Sequence, residues 1–355
     1  MSPGSDWKVW LSAALLLGSS VACVATARPR APGLEVVDLP TRVYDLPSGL
    51  RVALERDDSL DIAGAALLIG AGSADERPGE EGLAHLIEHL AFQSRPEGKP
   101  RLAGALKEMG GGVFNGLTGS DSTLYVAFVP QAELPELLER FAGVLSNPLT
   151  GVDEAAFKHE QHIVRNELRL DNEDSPYAPA FQWLSAALFP QGHPYAHSPA
   201  GTHGSLTNLT LEQARTFARA QYRPERATLV VSGNLDPEKP AQVLGASLAA
   251  QFVGKRLPRP THSIPIAPLP STAQSVIPEF QAPAATRALW LGWVVPSDYG
   301  PEEAVRSVVQ ELASRSLLNG QDGTASIGVN LESRAGQSLL YIEADLPEGL
   351  LSELR

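Results

Sequence analysis

The sequence predicts an α+β fold: a mostly antiparallel sheet with helices packed on one face, repeated as two homologous domains, the second incomplete. Three observations lead there. Short apolar or alternating segments bounded by Gly and Pro take turns with segments of helical period. A cluster of prolines (Pro258, Pro260, Pro265, Pro268 and Pro270) divides the chain in two. Beyond it, the apolar frame of the first part recurs 222 residues on, so that Ser307 stands where His85 stood.

A chain of 355 residues suits about two domains, and 43% hydrophobic residues can fill their cores. A formal charge of -13 argues against nucleic acid, which needs a basic footprint. The lone cysteine, Cys23, leaves the body without an internal disulfide. It falls at the end of an export signal: Lys8, an apolar run from Val9 to Leu17, then small residues. That run is short for a membrane span. Val21-Ala22-Cys23 resembles a bacterial lipobox, with Ser20 where an aliphatic residue is usual; cleavage after Ala25-Thr26-Ala27 is the alternative. The expectation is therefore an exported, periplasmic protein, with a lipid anchor at Cys23 as one reading.

The elements follow in order. Residues 1–27 are the signal and residues 34–254 the first domain. A hairpin runs from Val43 to Glu55 around Pro47-Ser48-Gly49, and Ile62 to Ile69 is a buried strand. Pro78-Gly79-Glu80-Glu81-Gly82 opens a helix, with acidic residues expected in its first turn. Arg101 to Met109 is helical, Thr123 to Val129 a strand, and Gln131 to Leu145 a helix. Asp153 caps a helix reaching about Leu170. Tyr177 to Phe189 is a further helix, and Gly192 to Asn208 reads as a long loop. Leu211 to Tyr222 is a helix, Ala227 to Ser232 a strand, and Pro237 to Phe252 a helix. Residues 255–275 are the linker. Residues 276–355 form the partial second domain, with strands Arg287 to Val295 and Gln337 to Leu346, in which Tyr341 echoes Tyr125.

The helix of Gly82 to Leu90 carries the chemistry. His85 and His89 are four residues apart and Glu88 three after His85, so all three leave one side. Two imidazoles at this spacing can grip a zinc ion, and the carboxylate can hold a water against it. The order H-x-x-E-H is the inverted form of a zinc peptidase signature. In the second copy Ser307, Gln310 and Glu311 replace the three, and the apolar frame stays. A catalytic zinc wants a third protein ligand. Glu160 and Glu167 lie seven apart on one helical stripe, and Glu167 would complete a two-histidine, one-glutamate set. Glu160 would orient a ligand from behind. His159 and His162 leave by other faces of that helix.

These motifs resemble the insulinase, pitrilysin and mitochondrial processing peptidase family of zinc metallopeptidases. There a glutamate follows H-x-x-E-H by roughly 75 to 80 residues; Glu167 lies 78 beyond His89. The resemblance implies His85, His89 and Glu167 as zinc ligands, Glu88 as general base and Glu160 as accessory glutamate. Gly111 to Asn115, with Thr118, Asp121, Thr123 and Tyr125, resembles the edge segment that binds the substrate backbone. Asn115, Thr118 and Tyr125 are expected there, although Asn115-Gly116 replaces the family's usual Asn-Ala. His193-Pro194-Tyr195 with Gly201-Thr202 resembles a further family loop.

The implied activity is a zinc-dependent endopeptidase cutting short or unfolded peptides. The family's second half also donates an Arg/Tyr pair to the substrate, from a part that this chain lacks; a fragment, a truncated gene or a partner subunit supplying the missing surface would each account for that. The alternative is a non-catalytic or partner-dependent subunit that captures peptides. A lyase built on the same motif is disfavoured by the peptide-binding segment and the repeat.

Overall fold

The computed structural model describes residues 41–111, 113–174, 178–249, 287–296, 307–308, 310–312 and 326–346, all within one compact unit, Leu39–Arg355. The segment expected to be an export signal, Cys23 and the expected linker lie outside the described residues.

The first sheet is built around β3 (Ile62–Ile69). Its alternation is strict: Ala63, Ala65, Leu67 and Ile69 turn inward, while Ile62 and Leu68 stay exposed. The strands β1 (Thr41–Asp45), β2 (Arg51–Arg56), β4 (Val113–Thr118), β5 (Thr123–Pro130) and β6 (Ala227–Gly233) complete it in the order β1-β2-β6-β3-β5-β4. Every pairing is antiparallel except β2 with β6, which joins Arg51–Arg56 to Thr228–Gly233. β4 is an edge strand, with Val113, Asn115 and Leu117 exposed.

Helices cover the inward face. The central one is α1 (Leu83–Phe92), which lies against β4 and β5. Ten residues are too few to hold a helix in water alone. Leu83, Leu86, Ile87 and Leu90 are fully buried, each contributing about 1.5–3 kcal/mol. The helix starts after Gly82, whose φ of 92° favours glycine. Then come α2 (Leu102–Glu108), α3 (Leu134–Ser146) and α4 (Glu154–Asp174). Asp153 caps α4 as expected: its Oδ1 accepts from the Ala156 N–H at 2.8 Å. Phe157, Glu160, Gln161, Val164 and Leu168 form the buried stripe of α4, and His159 and His162 are exposed.

Next are α5 (Ala178–Leu188), α6 (His203–Asn208), α7 (Leu211–Gln221) and α8 (Pro240–Ala249). The expected long loop of Gly192 to Asn208 is thus shorter, because Thr202 caps α6 by accepting from the Ser205 N–H at 3.0 Å. Among the described residues no helix is long and apolar enough to cross a membrane.

The second sheet holds β7 (Arg287–Pro296), β8 (Ser326–Glu332) and β9 (Gln337–Leu346) in the order β7-β9-β8, all antiparallel. This reproduces β3-β5-β4 of the first sheet and gives the repeat a structural form. α5 covers it: Phe181 packs on Tyr341 at 5.2 Å, and Trp290 stacks on Tyr341 at 5.6 Å. Backbone at Ser307, Val308 and Gln310–Leu312 is helical, where the sequence places the second copy of α1.

Candidate metal centre

α1 and α4 pack side by side, and their facing stripes bring the sequence motifs together. The Glu167 carboxylate oxygen Oε2 lies 3.3 Å from His89 Nε2 and 3.9 Å from His85 Nε2. The His85 and His89 rings stand edge to face, with centroids 4.9 Å apart. One donor atom from each of the three residues lies within 4.8 Å of the others. Three ligands placed tetrahedrally on one zinc, each about 2.0–2.1 Å away, would stand roughly 3.4 Å apart. The donor set therefore fits a zinc ion in chemistry, and its spacings, from 3.3 Å to within 4.8 Å, stand at or somewhat wider than that value.

Glu160 stands behind the set. It is almost fully buried, with Oε2 3.5 Å from His89 Nδ1, so it faces the nitrogen of His89 that points away from Glu167. His85 Nδ1 is buried without a hydrogen-bond partner among the described residues, so no hydrogen bond to that nitrogen orients its ring.

Electrostatics separate the two histidines. Burial, assisted by charge on His89, lowers the His85 pKa to about 4, so that ring is neutral near pH 7. Burial also presses His89 downward, but the carboxylates of Glu160, Glu167 and Glu88 outweigh it and raise its pKa. Glu88 is 6% exposed. Burial raises its carboxyl pKa, and Glu167 adds to this; the Thr118 hydrogen bond and His89 oppose it.

The edge strand reaches Glu88 directly. Thr118 Oγ1 donates to Glu88 Oε2 at 2.8 Å. A Cβ added to Gly116 would lie 2.2 Å from Glu88 Oε1, so glycine here leaves room for the carboxylate. That gives a local reason for Asn115-Gly116. Asn115 is exposed on the edge, its Oδ1 accepting from the Gly116 N–H at 3.0 Å. Tyr125, expected beside a substrate, is instead fully buried; its hydroxyl lies 2.7 Å from that of Tyr222. It alternates to the inward face of β5, so in this structure it packs the core beneath the site.

Sequence reasoning missed one group and the contacts of another. The acidic group at the N-terminus of α1 is Glu76, upstream of the helix; Glu80 and Glu81 precede the first turn, which holds no acidic residue. Asp121, in the β4–β5 turn, accepts from the Tyr195 hydroxyl at 2.7 Å and from the Ala335 N–H of the second sheet at 2.8 Å. The glutamate six residues before Gly82 was the available signal for the first. Asp121 stands in the edge segment already named by resemblance, but its bonds to Tyr195 and Ala335 join segments that no local rule relates.

Both parts of the chain match known families. Residues 51–197 match the family model described as insulinase (peptidase family M16), and residues 208–348 match the peptidase M16 inactive domain. The chain belongs to the insulinase family of peptidases. An uncharacterized zinc protease of Mycobacterium tuberculosis is 30% identical over 229 residues, 64% of this chain and 51% of that protein. The mitochondrial-processing peptidase subunit beta of Blastocladiella emersonii is 27% identical over 232 residues, 64% of this chain and 48% of that one. The crystal structure of a protease from Helicobacter pylori shares the fold, with a TM-score of 0.76 at 22% identity over 89% of this chain and 78% of the other. The chain spans about half the length of the curated relatives it matches.

Proposed function

We propose that this chain is a zinc-dependent endopeptidase in which His85, His89 and Glu167 hold the metal and Glu88 is the general base. The convergence of the three donor atoms beside a buried, hydrogen-bonded Glu88 carries the reading. A zinc ion bound there supplies a Lewis acid that polarises a peptide carbonyl and acidifies water. Glu88 accepts the proton from the attacking water and delivers it to the departing amine. Its raised pKa brings it closer to the working range of a base that must also give the proton back. Thr118 fixes which oxygen of Glu88 is free. The exposed edge of β4, with Asn115 at its centre, pairs with an extended substrate backbone, which favours short or unfolded peptides.

A second reading, a partner-dependent subunit, draws on one of the relatives being named a subunit. In it, another polypeptide supplies the remaining wall of the peptide site. The segment ending at Cys23 supports export to the periplasm, with a lipid anchor as one form.

The test is hydrolysis of quenched fluorescent peptides by the zinc-loaded wild type and by Glu88→Gln. Loss of about a hundredfold or more in kcat, with zinc retained, supports the base. Equal activity in the two sinks it. A zinc-loaded wild type that cleaves nothing alone, but does so beside a partner, favours the second reading.

A further inference from the structure

The helix that carries His85 and His89 has no cap of its own. Gly82 occupies the cap position and offers no side chain. The free N–H groups of its first turn go instead to Glu76: Gly82 N lies 3.1 Å from Oε2 and Ala84 N 2.8 Å from Oε1. The Glu76 side chain is 0% exposed. Its third partner is His197 Nε2, 3.1 Å from Oε2 and also 3.1 Å from the Ser73 carbonyl. The segment bearing His197 then presses on the same helix end. A Cβ on Gly201 would lie 2.4 Å from the Glu81 carbonyl oxygen, and Ser205 Oγ donates to that oxygen at 2.8 Å.

A serine or aspartate at the cap position would satisfy such N–H groups at the surface. Here a carboxylate is taken fully out of water, which costs several kcal/mol unless every lone pair is met. Its three partners offset part of that cost, although burial still raises its pKa, and they leave the group little freedom. The N–H it holds belongs to Ala84, the residue before His85. The first turn of α1, and with it the backbone from which the His85 ring projects, is thus tied from outside the helix. This matters because His85 Nδ1 has no hydrogen-bond partner among the described residues, whereas His89 has Glu160 behind it.

We propose that Glu76, held by His197, is a positioning residue that aims His85 at the metal and so sets metal affinity and coordination geometry. It takes for His85 the part that Glu160 takes for His89. The inference rests on the reading of His85, His89 and Glu167 as ligands.

The test uses the full chain, stripped of metal, as wild type, Glu76→Gln and His197→Ala. Glu76→Gln keeps the size but loses the charge and one acceptor oxygen. His197→Ala leaves the carboxylate and removes a side chain that is 25% exposed. Three quantities are read: zinc affinity by chelator competition, the visible absorption of the cobalt-substituted site, and thermal melting of the metal-free chain. Glu76→Gln is expected to weaken zinc about tenfold, within the range for groups that orient ligands, and to change the cobalt spectrum. His197→Ala is expected to do the same to a smaller extent. A lower melting temperature with unchanged zinc affinity and cobalt spectrum in both variants overturns the proposal, leaving Glu76 a stabilising cap only. If Glu76→Gln does not fold, the His197→Ala result decides. A wild type that binds no zinc instead removes the ligand reading, and this inference with it.

Discussion

The Thr118 hydroxyl donates a 2.8 Å hydrogen bond to Glu88 Oε2, tying the edge strand of the sheet to the carboxylate between the two histidines. A hydrogen bond to a charged group is worth about 1.5–3 kcal/mol. Thr118→Val should therefore lower kcat roughly tenfold or more, with zinc content unchanged. Thr118→Ser should restore most of it. Steady-state kinetics on a quenched peptide check this, and equal kcat values in Val and Ser variants would contradict it.

Zinc binding should release about one proton at pH 6. His89, its pKa raised above 6.5, is mostly charged there and must lose its proton to ligate. His85, with a pKa of about 4, is already neutral. Affinity therefore falls as pH drops through the His89 pKa, and His85 adds a second proton only near pH 4. Calorimetry in buffers of different ionisation enthalpy counts the protons; two at pH 6 would contradict the assignment.

Tyr125 and Tyr222 share a 2.7 Å hydroxyl contact in the core. Burial raises both pKa values, so the pair stays neutral. Tyr222→Phe leaves the Tyr125 hydroxyl short of its partner and should cost about 1–3 kcal/mol, read as a lower denaturant midpoint. Zinc affinity should not move, since among the described residues the Tyr125 and Tyr222 hydroxyls bond to each other and to none of the three metal ligands.

Asp121 joins the two sheets by accepting from Tyr195 and from the Ala335 N–H. Arg334, buried beside it, lies 4.9 Å from the Tyr195 ring. Asp121→Ala should free the β8–β9 turn. The Ala335 amide is then expected to exchange with solvent at least tenfold faster, while amides of β3 stay protected. Unchanged exchange at Ala335 would show that the turn is held by other contacts.

Much of this was legible in the sequence, for a physical reason. Helical period alone places His85, Glu88 and His89 on one side of α1, and Glu160 and Glu167 on one side of α4. Packing those stripes together needs only that the apolar residues beside them be buried. β3 was legible as a continuous apolar run, and the repeat as a shared frame. The pairing of β2 with β6 was not, because it joins segments that no local rule relates. β8 was overlooked although Ile327, Val329 and Leu331 alternate with small or polar residues. Tyr125 was placed beside substrate by resemblance, whereas strand alternation turns it inward. Glu76 escaped because a cap six residues upstream depends on how the intervening turn folds back.

The most direct test of the metal assignment is X-ray absorption at the zinc edge on the purified, zinc-loaded chain, with Glu167→Gln beside it. The wild type should hold about one zinc with two imidazole nitrogens and oxygen ligands at about 2.0–2.2 Å; the variant should lose most of its zinc. Zinc bound without imidazole scattering, or held equally by Glu167→Gln, would contradict it.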